Sequence, residues 1–283
     1  MIEVLHPGLY TSIQDRGRFG YRDQGVPLSG AMDQYAAQLA NQILGNSADS
    51  PLMEFVLQGP TLYFQKAAKI AISGGLWQVE LNQKKIQLNQ VVHLPAKSNL
   101  KIKRNLRGMY GYLAVSGGFE LPKVLGSYSF YPKITQAAQL KKGDQIRLGK
   151  INPKKNMPTA SAVFRKDIFQ TNVLEVESGP EFELLSKAMQ KKLFTTDFSP
   201  SNNSNRMAYL LEHNADFSAE EIITGPVQPG TVQLTPSGNL IVLMRDAQTT
   251  GGYARTLQLT PMAINQLAQI KPGESFQFKL KDR

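Results

Sequence analysis

The chain has 283 residues, of which 41% are hydrophobic and 19% charged; that is enough for about two domains with real cores and excludes a disordered chain. It contains no cysteine, and its only histidines are His6, His93 and His213, which excludes disulfide scaffolds, thiolate metal sites and cysteine nucleophiles and argues against a histidine metal site. The net charge is +10 with a pI of about 9.6, as expected of a basic soluble protein or of one that meets an acidic partner.

In chain order, the N-terminal MIEVLHPGLY lacks the basic region and apolar run of a signal peptide, and no stretch nears the roughly 20 apolar residues that span a bilayer. A cytoplasmic protein with no membrane partner is expected. Ser29 to Leu44 predicts a helix capped by Ser29, with Met32, Tyr35, Ala36, Leu39, Ala40 and Ile43 at helical spacing. Strand-like runs follow at Leu62–Phe64, Lys69–Ser73, Trp77–Leu81, Val91–Leu94, Leu100–Ile102, Tyr110–Ser116 and Ile146–Leu148. The basic, proline-containing stretch 151–167 reads as a linker. Beyond it come strand-like runs at Val173–Val176, Thr231–Leu234, Leu240–Met244 and Ser275–Lys279. Short helices are predicted at Glu181–Met189 and at Pro261–Gln269, the latter with proline in its first turn. The predicted class is mainly β, with one unit over 1–150 and a second over 168–283.

The halves echo one another. LMEFVLQGPTLYF (52–64) is similar to VLEVESGPEFELL (173–185), and LKKGDQIRL (140–148) to IKPGESFQF (270–278), which predicts two related β units. The lysine pairs, such as Lys84–Lys85 and Lys191–Lys192, form no stripe interleaved with aromatics, so no nucleic-acid partner is expected.

Three stretches concentrate polar chemistry. In 7–46, Gln14, Asp15, Arg16, Arg18, Arg22 and Asp23 crowd around Gly17, Gly20 and Gly25. Asp15 and Asp33 have the chemistry of an acid or base and Arg18 that of a carboxylate clamp; a loop laced with surface ion pairs fits the same residues. In RDAQTTGGYAR (245–255), Gln248, Thr249 and Thr250 supply donors and acceptors at a strand end, with Asp246 and Arg255 placed to bracket a polar substrate; a satisfied turn is the alternative. In SNNSNRMAYLLEH (201–213), Arg206 opens an apolar run, as a cleft cation or an edge-strand charge. Ser73–Gly75, Ser116–Gly118 and Thr250–Gly252 read as turns or bulges, Trp77 as core, and Glu54 and Glu175 as carboxylates within apolar strands. No GxxxxGK[ST] loop is present.

PGL…QDRGRFGY, GVPLSGAMD, VSGGF, VLGS, SNRM and PGTVQL…IVLMRDAQTTGGYAR…LAQIKPGESFQF, in this order, resemble the allophanate hydrolase subunit 2 family, whose members are also known as KipA-like proteins or as the C subunit of 5-oxoprolinase. The resemblance covers almost the whole chain. It implies two cyclophilin-like β-barrel units and a hydrolase subunit, inactive alone, that opens 5-oxoproline to glutamate in an ATP-dependent assembly. The implied partners are a KipI-like (allophanate hydrolase subunit 1) protein, a LamB/YcsF-type subunit and a small amide substrate. ATP would be used through the assembled complex, with no metal site in this chain. Related modules act as carboxyltransferase halves on urea with a biotin enzyme, and KipA-type members act as regulators that bind a KipI-like partner. For such a reaction the motif residues supply candidates by their own chemistry: Asp15, Asp33 and Asp246 as catalytic acids or bases, and Gln14, Arg18, Arg206, Gln248, Thr249, Thr250 and Tyr253 as substrate-binding groups. The sequence departs from the family pattern at Leu210 and Tyr128, where arginines are usual, and at His213, where glycine is.

Overall fold

The computed structural model describes residues 1–150 and 172–282; the expected linker at 151–167 lies outside them. The described residues divide into two compact units. One takes Met1–Arg18 and resumes at Ser29; the other takes Phe19–Leu28 and the residues from 172 onward. The segment Phe19–Leu28, expected with the first unit, therefore counts with the second, where Arg22 Nη2 donates to the Val227 carbonyl.

Each unit is built on its own curled sheet, giving the mainly β fold expected, with three short helices. In the first unit the strand path runs Tyr10–Gln14, Leu52–Val56, Ser98–Val115, Thr61–Phe64, Ile2–His6 and Gln145–Ile146. The long strand Ser98–Val115 pairs with Thr61–Phe64 along its first half and with Leu52–Val56 along its second. It also pairs antiparallel with Ala68–Leu81, and that ladder slips register at Gly74/Leu76, Leu76/Trp77 and Trp77/Val79. Such bulges bend and twist a sheet, and the Ser73–Gly75 triplet sits at the first of them, with Gly74 at φ 95°. The concave side is filled by Ile13, Phe55, Leu62, Phe64, Ile72 and Trp77 among others. Trp77 meets Phe55 edge-on, with ring centroids 4.8 Å apart, and is core as expected.

Helix α1 spans Gln34–Ile43 and packs against Ala68–Leu81 and Ser98–Val115. It begins later than the predicted Ser29. Ser29 (φ 56°) and Gly30 (φ 89°) are both left-handed, a conformation that cannot open a right-handed helix. The cap is Asp33, whose Oδ1 accepts from the Ala36 N–H at 3.0 Å.

In the second unit the strand order is Ser199–Pro200, Ala208–Glu212, Leu240–Leu243, Thr231–Leu234, Ala254–Leu259, Val173–Ser178 and Gln277–Leu280, with the last pair parallel. A separate ladder joins Gly225–Pro226 to Thr250–Gly251. The predicted helix Glu181–Met189 is displaced. Its first half is a 3-10 turn, Phe182–Leu184, and α2 spans Lys187–Thr195 behind the cap Ser186. Ser186 restarts the helix because its hydroxyl accepts from Met189 N–H. Helix α3 spans Pro261–Gln269 as predicted, capped by Thr260.

The internal echo holds in the turns and fails in the strands. Lys141–Asp144 and Lys271–Glu274 are the same type II turn. In each, the acidic N–H returns to the lysine carbonyl and its carboxylate accepts from the lysine N–H, with Gly143 at φ 89° and Gly273 at φ 83°. The strands that follow differ, Gln145–Ile146 pairing antiparallel and Gln277–Leu280 parallel. The second echo diverges too, since Thr61–Phe64 is a strand and Phe182–Leu184 a 3-10 turn.

Candidate functional site

In the first unit the polar residues of the glycine-rich motif are turned inward. Asp15 lies at the end of strand Tyr10–Gln14 and is buried. Its Oδ1 accepts from Gly17 N–H (2.8 Å), Ser127 Oγ (2.7 Å) and Ser129 Oγ (2.7 Å), and its Oδ2 from Tyr128 N–H (2.7 Å). This carboxylate thus holds the 127–129 loop to the motif. Arg18 is fully buried, with Nε donating to the Val124 carbonyl (3.1 Å), Nη2 to the Ser129 carbonyl (2.8 Å) and Nη1 to Ser29 Oγ (3.4 Å). Gln14 is buried beside them; its Nε2 donates to Ser12 Oγ at 2.9 Å and its Oε1 has no partner among the described residues.

Asp33 belongs to a second buried network. Its N–H donates to Tyr112 Oη (2.7 Å), while Glu54 Oε2 accepts from Tyr112 Oη (2.9 Å) and Met32 N–H (2.7 Å). Burial pushes the Tyr112 hydroxyl well above its ordinary pKa, with the neighbouring Glu54 and Asp33 charges adding to the effect. Of the two strand carboxylates, Glu54 is the buried one and Glu175 is exposed. Tyr128, at the position where an arginine is usual, lies under Lys123, whose Nζ is 5.0 Å from the ring centroid.

In the second unit the strand Leu240–Leu243 ends in the loop that carries the other motif. Two candidates 40 positions apart meet there: Arg206 Nε donates to Asp246 Oδ2 at 2.8 Å and Nη2 to Asp246 Oδ1 at 3.1 Å. Both side chains are 11% exposed, and the Asp246 N–H returns to the Arg206 carbonyl. This is a two-pronged ion pair, the strongest geometry for arginine and carboxylate. Gln248 and Thr249 follow half-buried, and Thr250 and Tyr253 are exposed. The Thr249 carbonyl accepts from Val227 N–H at 3.0 Å.

Arg255, the other residue placed to bracket a substrate, is engaged by Glu181. Its Nη2 and Nε donate to Glu181 Oε1 (2.6 Å) and Oε2 (2.9 Å), and its Nη1 to the Pro226 carbonyl. These hydrogen bonds, with the guanidinium charge behind them, hold the Glu181 carboxyl below its ordinary value against the opposing effect of burial. A carboxyl with a lowered folded pKa contributes stability that is present above the unfolded pKa, roughly 4.3. That stability is lost as pH falls through the folded value. Urea unfolding of wild type and Glu181→Gln is therefore expected to differ at neutral pH and to converge in acid; a gap that persists or widens in acid would refute the linkage.

Sequence reasoning missed Gln233, on strand Thr231–Leu234. The residue is 1% exposed, and its Nε2 has no partner among the described residues. That nitrogen lies under Gly251, where an added Cβ would stand 2.5 Å from it. A glutamine inside the apolar run Val232–Leu234 was the available signal. Among the described residues no group of three or more histidine, aspartate or glutamate side chains is arranged to hold a metal, and no helix is long and apolar enough to cross a membrane.

The described residues define a mainly β protein of two units, each on its own curled sheet, with an arginine–aspartate pair at a glycine-rich strand-end loop of the second. The family model described as "Carboxyltransferase domain, subdomain A and B" matches residues 24–280, and the chain belongs to that family. It is 33% identical over 287 residues to the C subunit of 5-oxoprolinase from Escherichia coli K12, covering 98% of this chain and 90% of that one. The protein of the same name from Haemophilus influenzae is 31% identical, covering 99% of this chain and 91% of that one. Urea amidolyase of Lachancea kluyveri is 28% identical over 98% of this chain, which spans only 17% of that protein. The solved structure of TTHA0988 superposes with a TM-score of 0.90 at 29% identity, covering 98% of this chain and 55% of that one, so the chain spans about half the length of this structural relative.

Proposed function

We propose that this chain is the C subunit of a 5-oxoprolinase and that its substrate-facing chemistry lies at the 245–253 loop of the second unit. The single observation that carries the reading is the near-full-length identity of 33% to a protein of that name. The loop supports it physically. Asp246 fixes the Arg206 guanidinium by two hydrogen bonds, and a fixed cation stabilises negative charge developing on a carbonyl oxygen or a leaving carboxylate. Gln248, Thr250 and Tyr253 follow Asp246 on the same loop and have the chemistry of orienting groups. In the net reaction water adds to the lactam carbon, the C–N bond breaks, and the ring nitrogen leaves as the amine of glutamate.

Asp15, Arg18 and Asp33 hold the first unit together in this reading. Each is engaged by several groups of its own chain, and a base would have to give those bonds up. At the starts of α1, α2 and α3 the caps Asp33, Ser186 and Thr260 each accept from one backbone N–H. The sequence has no GxxxxGK[ST] loop, and in this reading the nucleotide is bound by a partner subunit, for which KipI-like and LamB/YcsF-type proteins are our candidates.

The test is reconstitution with those two proteins, ATP and 5-oxoproline, with glutamate as readout. Release that requires this chain supports the reading. A stable complex that releases no glutamate overturns it in favour of a regulatory role. Turnover of urea with a biotin enzyme overturns it in favour of the carboxyltransferase half.

A further inference from the structure

We infer that Arg22 is a positioning residue for the 246–251 loop: its guanidinium clamps the Val227 carbonyl, and Val227 in turn holds that loop in place. The inference rests on the reading above for what the loop does, and deepens it by adding a residue outside the candidate set.

The strap that carries Val227 is weakly held by its own backbone. Gly225–Pro226 pairs with Thr250–Gly251 over only two residues, and proline brings no N–H to such a ladder. Val227 extends the contact. Its N–H donates to the Thr249 carbonyl at 3.0 Å, and its side chain, in a residue only 3% exposed, packs with Leu243 and Ala247. Ala247 stands between Asp246 and Gln248 in the chain. Val227 therefore supports the loop at two points, Ala247 through its side chain and Thr249 through its backbone.

Two guanidinium groups take successive carbonyls of this strap. Arg255 Nη1 donates to the Pro226 carbonyl at 3.0 Å, and Arg22 Nη2 to the Val227 carbonyl. Arg255 is braced by Glu181. Arg22 comes from 205 positions away, on the segment Phe19–Leu28 that counts with the second unit. Its backbone is set by the 3-10 turn Arg22–Gln24. Gly25, at φ 76°, closes that turn and returns its N–H to the Arg22 carbonyl. A hydrogen bond from a charged donor is stronger than a neutral one, so this clamp adds what the short ladder lacks.

The test combines amide hydrogen exchange on the full chain with kinetics of the reconstituted assembly. Arg22→Met keeps the aliphatic stem and removes the donors. It should speed exchange of the Val227 amide by roughly tenfold and leave the Val242 amide, in the middle of the same unit's sheet, unchanged. Glutamate release should slow by about tenfold, through kcat rather than KM. Arg22→Lys should restore most of both, because here a single carbonyl has to be reached.

If the Val227 and Val242 amides accelerate together, Arg22 merely stabilises the unit and the inference is overturned. If only Val227 accelerates but kcat is unchanged in an assembly that releases glutamate, positioning is refuted while the oxoprolinase reading stands. If the wild-type assembly releases no glutamate, the oxoprolinase reading falls, and the exchange pattern alone upholds or overturns the clamp.

Discussion

Arg18→Ala is expected to lower the unfolding free energy of the first unit by about 4 kcal/mol, among the largest effects of any single change. The guanidinium is fully buried and donates to two backbone carbonyls and a serine hydroxyl. Truncation leaves those acceptors dry and opens a cavity, and each unsatisfied buried group costs about 1–3 kcal/mol. Arg18→Lys should recover little, because one ammonium cannot reproduce the planar fork that spans Val124, Ser29 and Ser129. The measurement is a urea transition followed by tryptophan fluorescence. The only tryptophan, Trp77, is buried in the core of this same unit, so the signal reports the unit that Arg18 holds. An unchanged midpoint would refute the assigned role.

Asp246→Asn should show the second large effect. It keeps the shape of the side chain and removes the charge that Arg206 faces at 2.8 and 3.1 Å. Removing one partner of a nearly buried pair leaves the other charge uncompensated, at a cost of roughly 3 kcal/mol. Arg206→Gln should cost a similar amount. The double variant should lose less than the sum, with a coupling energy of about 1–3 kcal/mol. Because Trp77 lies in the first unit, circular dichroism follows this transition. In the reconstituted assembly the same change should slow glutamate release by at least about 100-fold. Additive stability losses would show that the two groups do not act together. Coupled losses with undiminished turnover would place the chemistry elsewhere.

Much of the fold was legible locally. Leu174 and Val176 alternate with exposed neighbours along one strand, as period-two patterning requires. Pro261 behind Thr260 marked the start of α3, because proline suits a first turn and threonine caps it. The start of α1 was misread because Ser29 carries a cap's chemistry at a backbone conformation that forbids capping, and a side chain's type does not disclose its φ. The motifs also single out Arg206, Asp246 and Gln248 as polar groups beside apolar runs. Their relations were not legible: nothing in the sequence discloses that Arg206 meets Asp246 across 40 positions or that Glu181 holds Arg255 across 74.

The sequence by itself therefore determined the class of secondary structure, the doubled plan with its matched Gly-acid turns, and the family. These follow from spacing, from turn chemistry and from ordered motifs, all of which are properties of neighbours in the chain. Tertiary structure alone decided which charge meets which. Asp15 is satisfied by Ser127 and Ser129 across 112 and 114 positions, Arg206 by Asp246, and Gln233 is set beneath Gly251. Sheet register and loop closure bring such groups within 3 Å. A buried polar group takes the role that its distant partners leave it, so only the folded chain discloses which polar residues build the scaffold.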